Sequence, residues 1–244
     1  MNVGTHLKFE VLRTFRNRGF LIVTLALPLV LYLAVTPGNK SKHAMVENMP
    51  FELYFMTGMA AYGALFAVFS PTTRIALDRQ RGWTRQTRVT PLRSGTYLAA
   101  KVVTAFLVAL PCVVLLDAAG TVFGVRMSAS RWAEMTGLLL LGLIPFVIMG
   151  ITVGHLAKAE SMPAVIGGLV VVFALFGGAF GEFFNSGATL KVIKLLPSYW
   201  LCQSGKVAEG GGGWTAEGWI VVAAWTVVMV AVAIPAYRRD TRRA

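Results

Sequence analysis

Acidic residues are scarce in this chain: 11 aspartates and glutamates stand against 23 lysines and arginines, and charged residues of both signs make up only 14% of it. The shortage leaves no pair of carboxylates inside an apolar stretch, so the acid/base cluster that a hydrolase needs is missing. The two cysteines, Cys112 and Cys202, form no CxxC pair and fall in different expected environments, which argues against both a disulfide framework and a zinc site. His6, His43 and His155 are scattered over three regions, so no metal centre is expected. Phosphate-cradling loops are missing too. The glycine run Gly210 to Gly213 is followed by Trp214 rather than Lys-Ser or Lys-Thr, and Gly205-Lys206 runs into Val207 with no upstream glycine. No nucleotide site and no resident cofactor are therefore expected in this chain.

Apolar residues are what the chain has in quantity. They make up 56% of its 244 residues, and the mean hydropathy is +0.65. That is more than one soluble core can hide. The net charge of +12 would suit nucleic acid if it lay on a polar folded surface, but here the charges sit between apolar runs. Basic clusters facing anionic lipid headgroups explain the same charge without a nucleic-acid partner.

The apolar runs predict an all-α membrane protein, a single transmembrane domain over 1–244. Val3, Leu7, Val11 and Phe15 recur every fourth position, with Leu12 widening the stripe, so 1–18 reads as an amphipathic helix lying in the interface. A signal peptide is the competing reading, disfavoured because no small-residue cleavage site follows. Transmembrane helices are expected at 19–36, 51–71, 97–125, 132–156, 163–184 and 214–237. The first contains Pro28, tolerable where a neighbour satisfies the freed carbonyl. Gly167, Gly168, Gly177, Gly178 and Gly181 would let the fifth pack closely. Between the fifth and sixth, 187–200 reads as a short interfacial or re-entrant helix broken at Pro197, with Tyr199, Trp200 and Trp214 suited to the membrane boundary. On this topology sixteen of the 23 lysines and arginines fall on the side of both termini. That bias predicts a multi-pass protein of the plasma (inner) membrane with both ends cytoplasmic.

Asp117 is the only acid deep in an apolar run. An aspartate at a helix centre costs roughly 2.5–3.5 kcal/mol on insertion scales, which points to function. It stands close enough to the expected outer end, however, to reach water or cap a neighbour, and both readings stay open.

The stretch 74–101 carries Arg74, Arg79, Arg81, Arg85, Arg88, Arg93 and Lys101 against the single acid Asp78. Gly82 permits a turn, Trp83 and Val89 give the next residues an apolar side, Thr90-Pro91 stops the short helix, and Ser94 can cap the next one. On physics alone this is either a solvated loop touching headgroups or a docking surface for another protein.

In that loop the sequence resembles the membrane-spanning permease subunits of ATP-binding-cassette transporters of the type-2 exporter class. The residues that carry the resemblance are Asp78, Arg79, Arg81, Gly82 and Trp83, then Thr90, Pro91 and Leu92, then Tyr97, Leu98 and Lys101. Arg79 and Gln80 stand where the family often has acids. Leu196, Pro197 and Trp200 are similar to its Leu-Pro and Trp signature before the last span, and the order of elements agrees along the chain.

The resemblance implies that 82–90 is a coupling helix docking on a separate ATPase subunit, with Arg81, Gly82, Trp83, Thr84, Arg85, Val89, Thr90 and Pro91 as the contact. It also implies two ATP-binding subunits, which would hold the ATP and magnesium, and a second permease copy, identical or homologous. An exporter for an apolar or amphipathic substrate, a drug-like or antibiotic-like molecule or a lipid, would then line its pathway with aromatic residues. Tyr62, Phe66, Phe69, Leu169, Phe173 and Phe176 are the candidates, with Asp117; helix packing or lipid contact is the alternative for each. A self-contained ion-coupled transporter is the alternative function, and it would need buried ionisable groups in several helices.

Overall fold

The computed structural model describes residues 8–9, 11–12, 14–16, 18–40, 45–46, 49–80, 94–181, 187–209 and 213–243, and is mostly helical. Helix α1 spans Arg18–Lys40, and a short antiparallel pair, β1 (Met45–Val46) and β2 (Met49–Pro50), leads into α2 (Phe51–Gln80). Then follow α3 (Ser94–Val122), α4 (Ala129–Gly142), α5 (Ile144–Leu156), α6 (Met162–Gly177), α7 (Gly187–Lys194), α8 (Pro197–Gln203), a 3-10 turn (Ser204–Glu209) and α9 (Ala216–Arg243).

Among the described residues four stretches are long and apolar enough to cross a membrane: Phe51–Gln80, Leu98–Val122, Ala129–Leu156 and Ala216–Tyr237. Thr24–Asn39 and Met162–Gly177 are shorter apolar helices. Large apolar side chains such as Val30, Leu33, Val114, Val171, Ile220 and Val227 stand on the outside, Val227 with 68% of its surface open. A belt of that kind is untenable in water and suits hydrocarbon. The chain is a multi-pass membrane protein.

Proline marks where the helices start and bend. Pro145, Pro163 and Pro197 each sit in the first positions of a helix, where the missing N–H costs nothing. Pro145 divides the apolar stretch 129–156 into α4 and α5, with Leu143 between them. Gly178, at φ +83°, ends α6 in the left-handed conformation that glycine adopts freely. α1 runs past Pro37 to Lys40, where the Asn39 amide donates to the Val35 carbonyl at 3.0 Å. α2 runs nine residues beyond 71 with Pro71 inside it.

α2 is the centre of the fold. It is almost wholly buried and packs against α1, α3, α5, α6 and α8. Where α1, α2 and α3 meet, a Cβ on Gly63 would collide with Cys112 Sγ and come within 2.9 Å of Pro28 Cγ. Cys112 Sγ in turn donates to the Thr24 carbonyl at 3.7 Å. That carbonyl is the one Pro28 leaves without a helical donor, so the thiol from α3 supplies what the proline removed. Three hydroxyls bond back within their own helices: Thr57 donates to Leu53 at 2.6 Å, Thr152 to Ile148 at 2.9 Å and Thr226 to Val222 at 2.7 Å.

Candidate functional site

The residues expected to dock on a partner, Arg81, Gly82, Trp83, Thr84, Arg85, Val89, Thr90 and Pro91, lie outside the described residues. Their flanks are described. At the end of α2, Asp78 is buried and its Oδ2 lies 3.8 Å from Nζ of Lys101 on α3. Lys101, which sequence reading counts among the loop's orienting charges, is inside the protein with 1% of its surface open. Arg79, one step along α2, faces another neighbour. Its Nη1 donates to the carbonyls of Gly154 at 3.2 Å and Ala157 at 3.4 Å. Those carbonyls belong to the last turn and cap of α5, where helical partners run out and the helix dipole favours a cation. Beside them the His155 ring meets the edge of Tyr237 on α9, centroids 5.3 Å apart.

The aromatic candidates fall into two contact groups. Phe69 of α2 is fully buried and meets Phe146 of α5 edge-on at 6.4 Å, and Phe146 meets Phe173 of α6 at 5.0 Å. Sequence reading missed Phe146, which joins two residues it named; an aromatic one residue after Pro145 was the available signal. Tyr62 is buried against Phe66 and Phe180. Phe66, Leu169 and Phe176 are only partly buried. An apolar cleft of about 290 Å³ opens elsewhere, among Leu98 of α3, Ile148 and Ile151 of α5, and Val230, Ile234 and Tyr237 of α9. None of the named pathway residues lines it.

Asp117 faces α4. Thr136 donates its hydroxyl to Asp117 Oδ2 at 3.0 Å, while the buried Oδ1 has no hydrogen-bond partner among the described residues. At the same end of the bundle Tyr54 donates to the Gly178 carbonyl at 2.6 Å, tying α2 to the turn after α6. A Cβ on Gly177 would lie 2.8 Å from the Ser198 carbonyl, so α8 seats directly on α6 there. A Cβ on Gly167 or Gly168 would meet nothing within 4 Å among the described residues. Every residue of α8 is buried. The chain breaks between α7 and α8 at Leu195 and Leu196, and two indoles cap the open carbonyls: Trp200 Nε1 donates to Lys194 at 2.9 Å and Trp225 Nε1 to Leu195 at 2.7 Å. Trp225, inside the last span, drew no notice in the sequence, although an indole N–H in an apolar helix needs a partner.

These contacts join helices to one another and set the two ends of the bundle apart, α8 and Asp117 at one, Asp78 and Lys101 at the other. Residues 1–206 match the family model described as ABC-2 type transporter. Over 225 residues the chain is 23% identical to a protein of Bacillus subtilis (strain 168) named "Putative transport permease YvfS", with 91% of each chain covered.

Proposed function

Because the chain belongs to the ABC-2 type transporter family, we propose that it is the permease subunit of an ATP-driven exporter, driven by separate ATPase subunits through 82–90. The observation that carries this reading is the family match over residues 1–206, which takes in the whole stretch 74–101. Two ATP-binding subunits on the cytoplasmic side bind ATP and magnesium, and this chain contributes the route and no hydrolysis. Both termini lie in the cytoplasm of a cell bounded by the plasma (inner) membrane, and the N-terminal helix rests in the interface.

A second permease copy, identical or homologous, completes the pathway. The open face of α6 around Gly167 and Gly168 can take close contact with it. Phe66, Leu169 and Phe176 are the aromatic and apolar candidates with surface to offer, and Asp117 has an oxygen to spare. Tyr62, Phe69 and Phe173 hold the helices on which those residues stand. An apolar or amphipathic cargo, a drug-like molecule or a lipid, suits such a lining.

The test is co-purification with an ATPase subunit, followed by ATP turnover and transport in Trp83→Ala and Arg85→Glu. Both variants are expected to keep the fold and lose transport driven by ATP. Full turnover and transport in both would remove the coupling assignment.

A further inference from the structure

The contacts of Asp78, Arg79 and Lys101 bear on how a displacement at the α2–α3 junction would travel. Pro71 takes one hydrogen bond out of α2, which makes it the natural place for that helix to bend. The segment 72–80 beyond it therefore needs bracing if it is to act as part of a rigid rod. Asp78 and Arg79 are consecutive, so their side chains leave the helix about 100° apart and reach different neighbours. Asp78 meets Lys101 of α3 at 3.8 Å, a pairing that a buried ammonium requires and that holds only in one register of α2 against α3. Arg79 meets the terminal carbonyls of α5 at 3.2 and 3.4 Å. α5 packs along α9, and His155 touches Tyr237 there.

We infer that Asp78, Lys101 and Arg79 form a rigid junction that makes the end of α2, the start of α3 and the end of α5 move as one body. A push delivered between residues 80 and 94 then reaches α5 and α9 instead of being absorbed by a bend at Pro71. The transmission role rests on the proposed reading that a partner subunit acts there; the rigidity does not. The three are positioning residues and touch no substrate.

Spin labels on cysteines replacing Gln80 and Leu156, both exposed, read the junction in the chain alone, since Cys112 and Cys202 are buried and escape labelling. The wild type should give one narrow distance peak. Arg79→Gln and Lys101→Met should lose it, and Lys101→Arg, which keeps the charge, should restore it. Arg79→Gln keeps the test decisive if Lys101→Met does not fold, because Arg79 is only half-buried. Equal peaks in all variants would overturn the junction. In vesicles holding the assembled transporter, Arg79→Gln should still hydrolyse ATP but move fewer molecules of an amphipathic fluorescent dye per ATP than the wild type. A broadened distance with wild-type transport per ATP would overturn the transmission role. Failure of the wild type to bind any ATPase would instead overturn the proposed function and leave the distance result to stand.

Discussion

Replacing Lys101 with methionine keeps an unbranched side chain of similar volume and deletes the charge, leaving the buried Asp78 carboxylate without the ammonium 3.8 Å away. At an effective dielectric of about 20 that separation is worth about 4 kcal/mol. Removing one partner of a buried pair costs about 3–5 kcal/mol, mostly through the charge left behind. Lys101→Met should therefore cost about 3–4 kcal/mol. Adding Asp78→Asn removes the second charge of the pair as well, and the double variant should lie within about 1 kcal/mol of wild type, since neutral replacements of buried pairs are often harmless. Asp78→Asn alone should be costly too, because it leaves the Lys101 ammonium behind, so the double-mutant cycle should return a coupling of at least about 3 kcal/mol, measured by reversible unfolding in mixed micelles of rising sodium dodecyl sulfate content. A cost below about 1 kcal/mol for Lys101→Met, the figure for a solvated surface pair, would mean that the pair is not buried.

Cys112→Ala should cost about 0.6 kcal/mol, the mean for a hydrogen bond between membrane helices, and Cys112→Ser should keep wild-type stability because its hydroxyl can still donate to Thr24; equal losses in both would show that packing alone matters there. Gly63→Val drives a side chain into Cys112 and Pro28, an overpacking of about 1–3 kcal/mol, and should reduce the yield of monodisperse protein, whereas full yield would contradict the tight crossing of α1, α2 and α3. Asp117→Asn keeps an acceptor for Thr136 and removes the charge, so it should alter transport while leaving expression intact. Unchanged transport at full expression would take Asp117 out of the pathway.

The helical, membrane-embedded character of the chain is legible because hydrocarbon imposes it: apolar runs of bilayer length can only be helices whose backbone groups bond internally. Helix ends are less legible. Pro37 and Pro71 lie inside helices, and no local rule announces which prolines a membrane helix will carry and which will end it. Cys112 beneath Pro28 is such a case: the two are far apart in sequence and meet only once α1 and α3 are packed. Aromatic residues in a membrane helix are equally ambiguous, since core, lipid and cavity are all apolar; Phe69 is committed to Phe146 in a way hydropathy does not reveal. Lys101 shows the same limit for charge. Counting basic residues reads orientation from their sum, while the pairing of Lys101 with Asp78 depends on the register of two helices.

If an ATP-binding subunit moves this chain, as proposed, it bears on the stretch after α2. A photo-reactive amino acid in place of Trp83, activated in intact membranes, tests it most directly. Irradiation should give a covalent adduct with the ATP-binding subunit whose yield changes when ATP is supplied. Adducts with lipid alone, while the ATP-binding subunit is present in the same membranes, would contradict it.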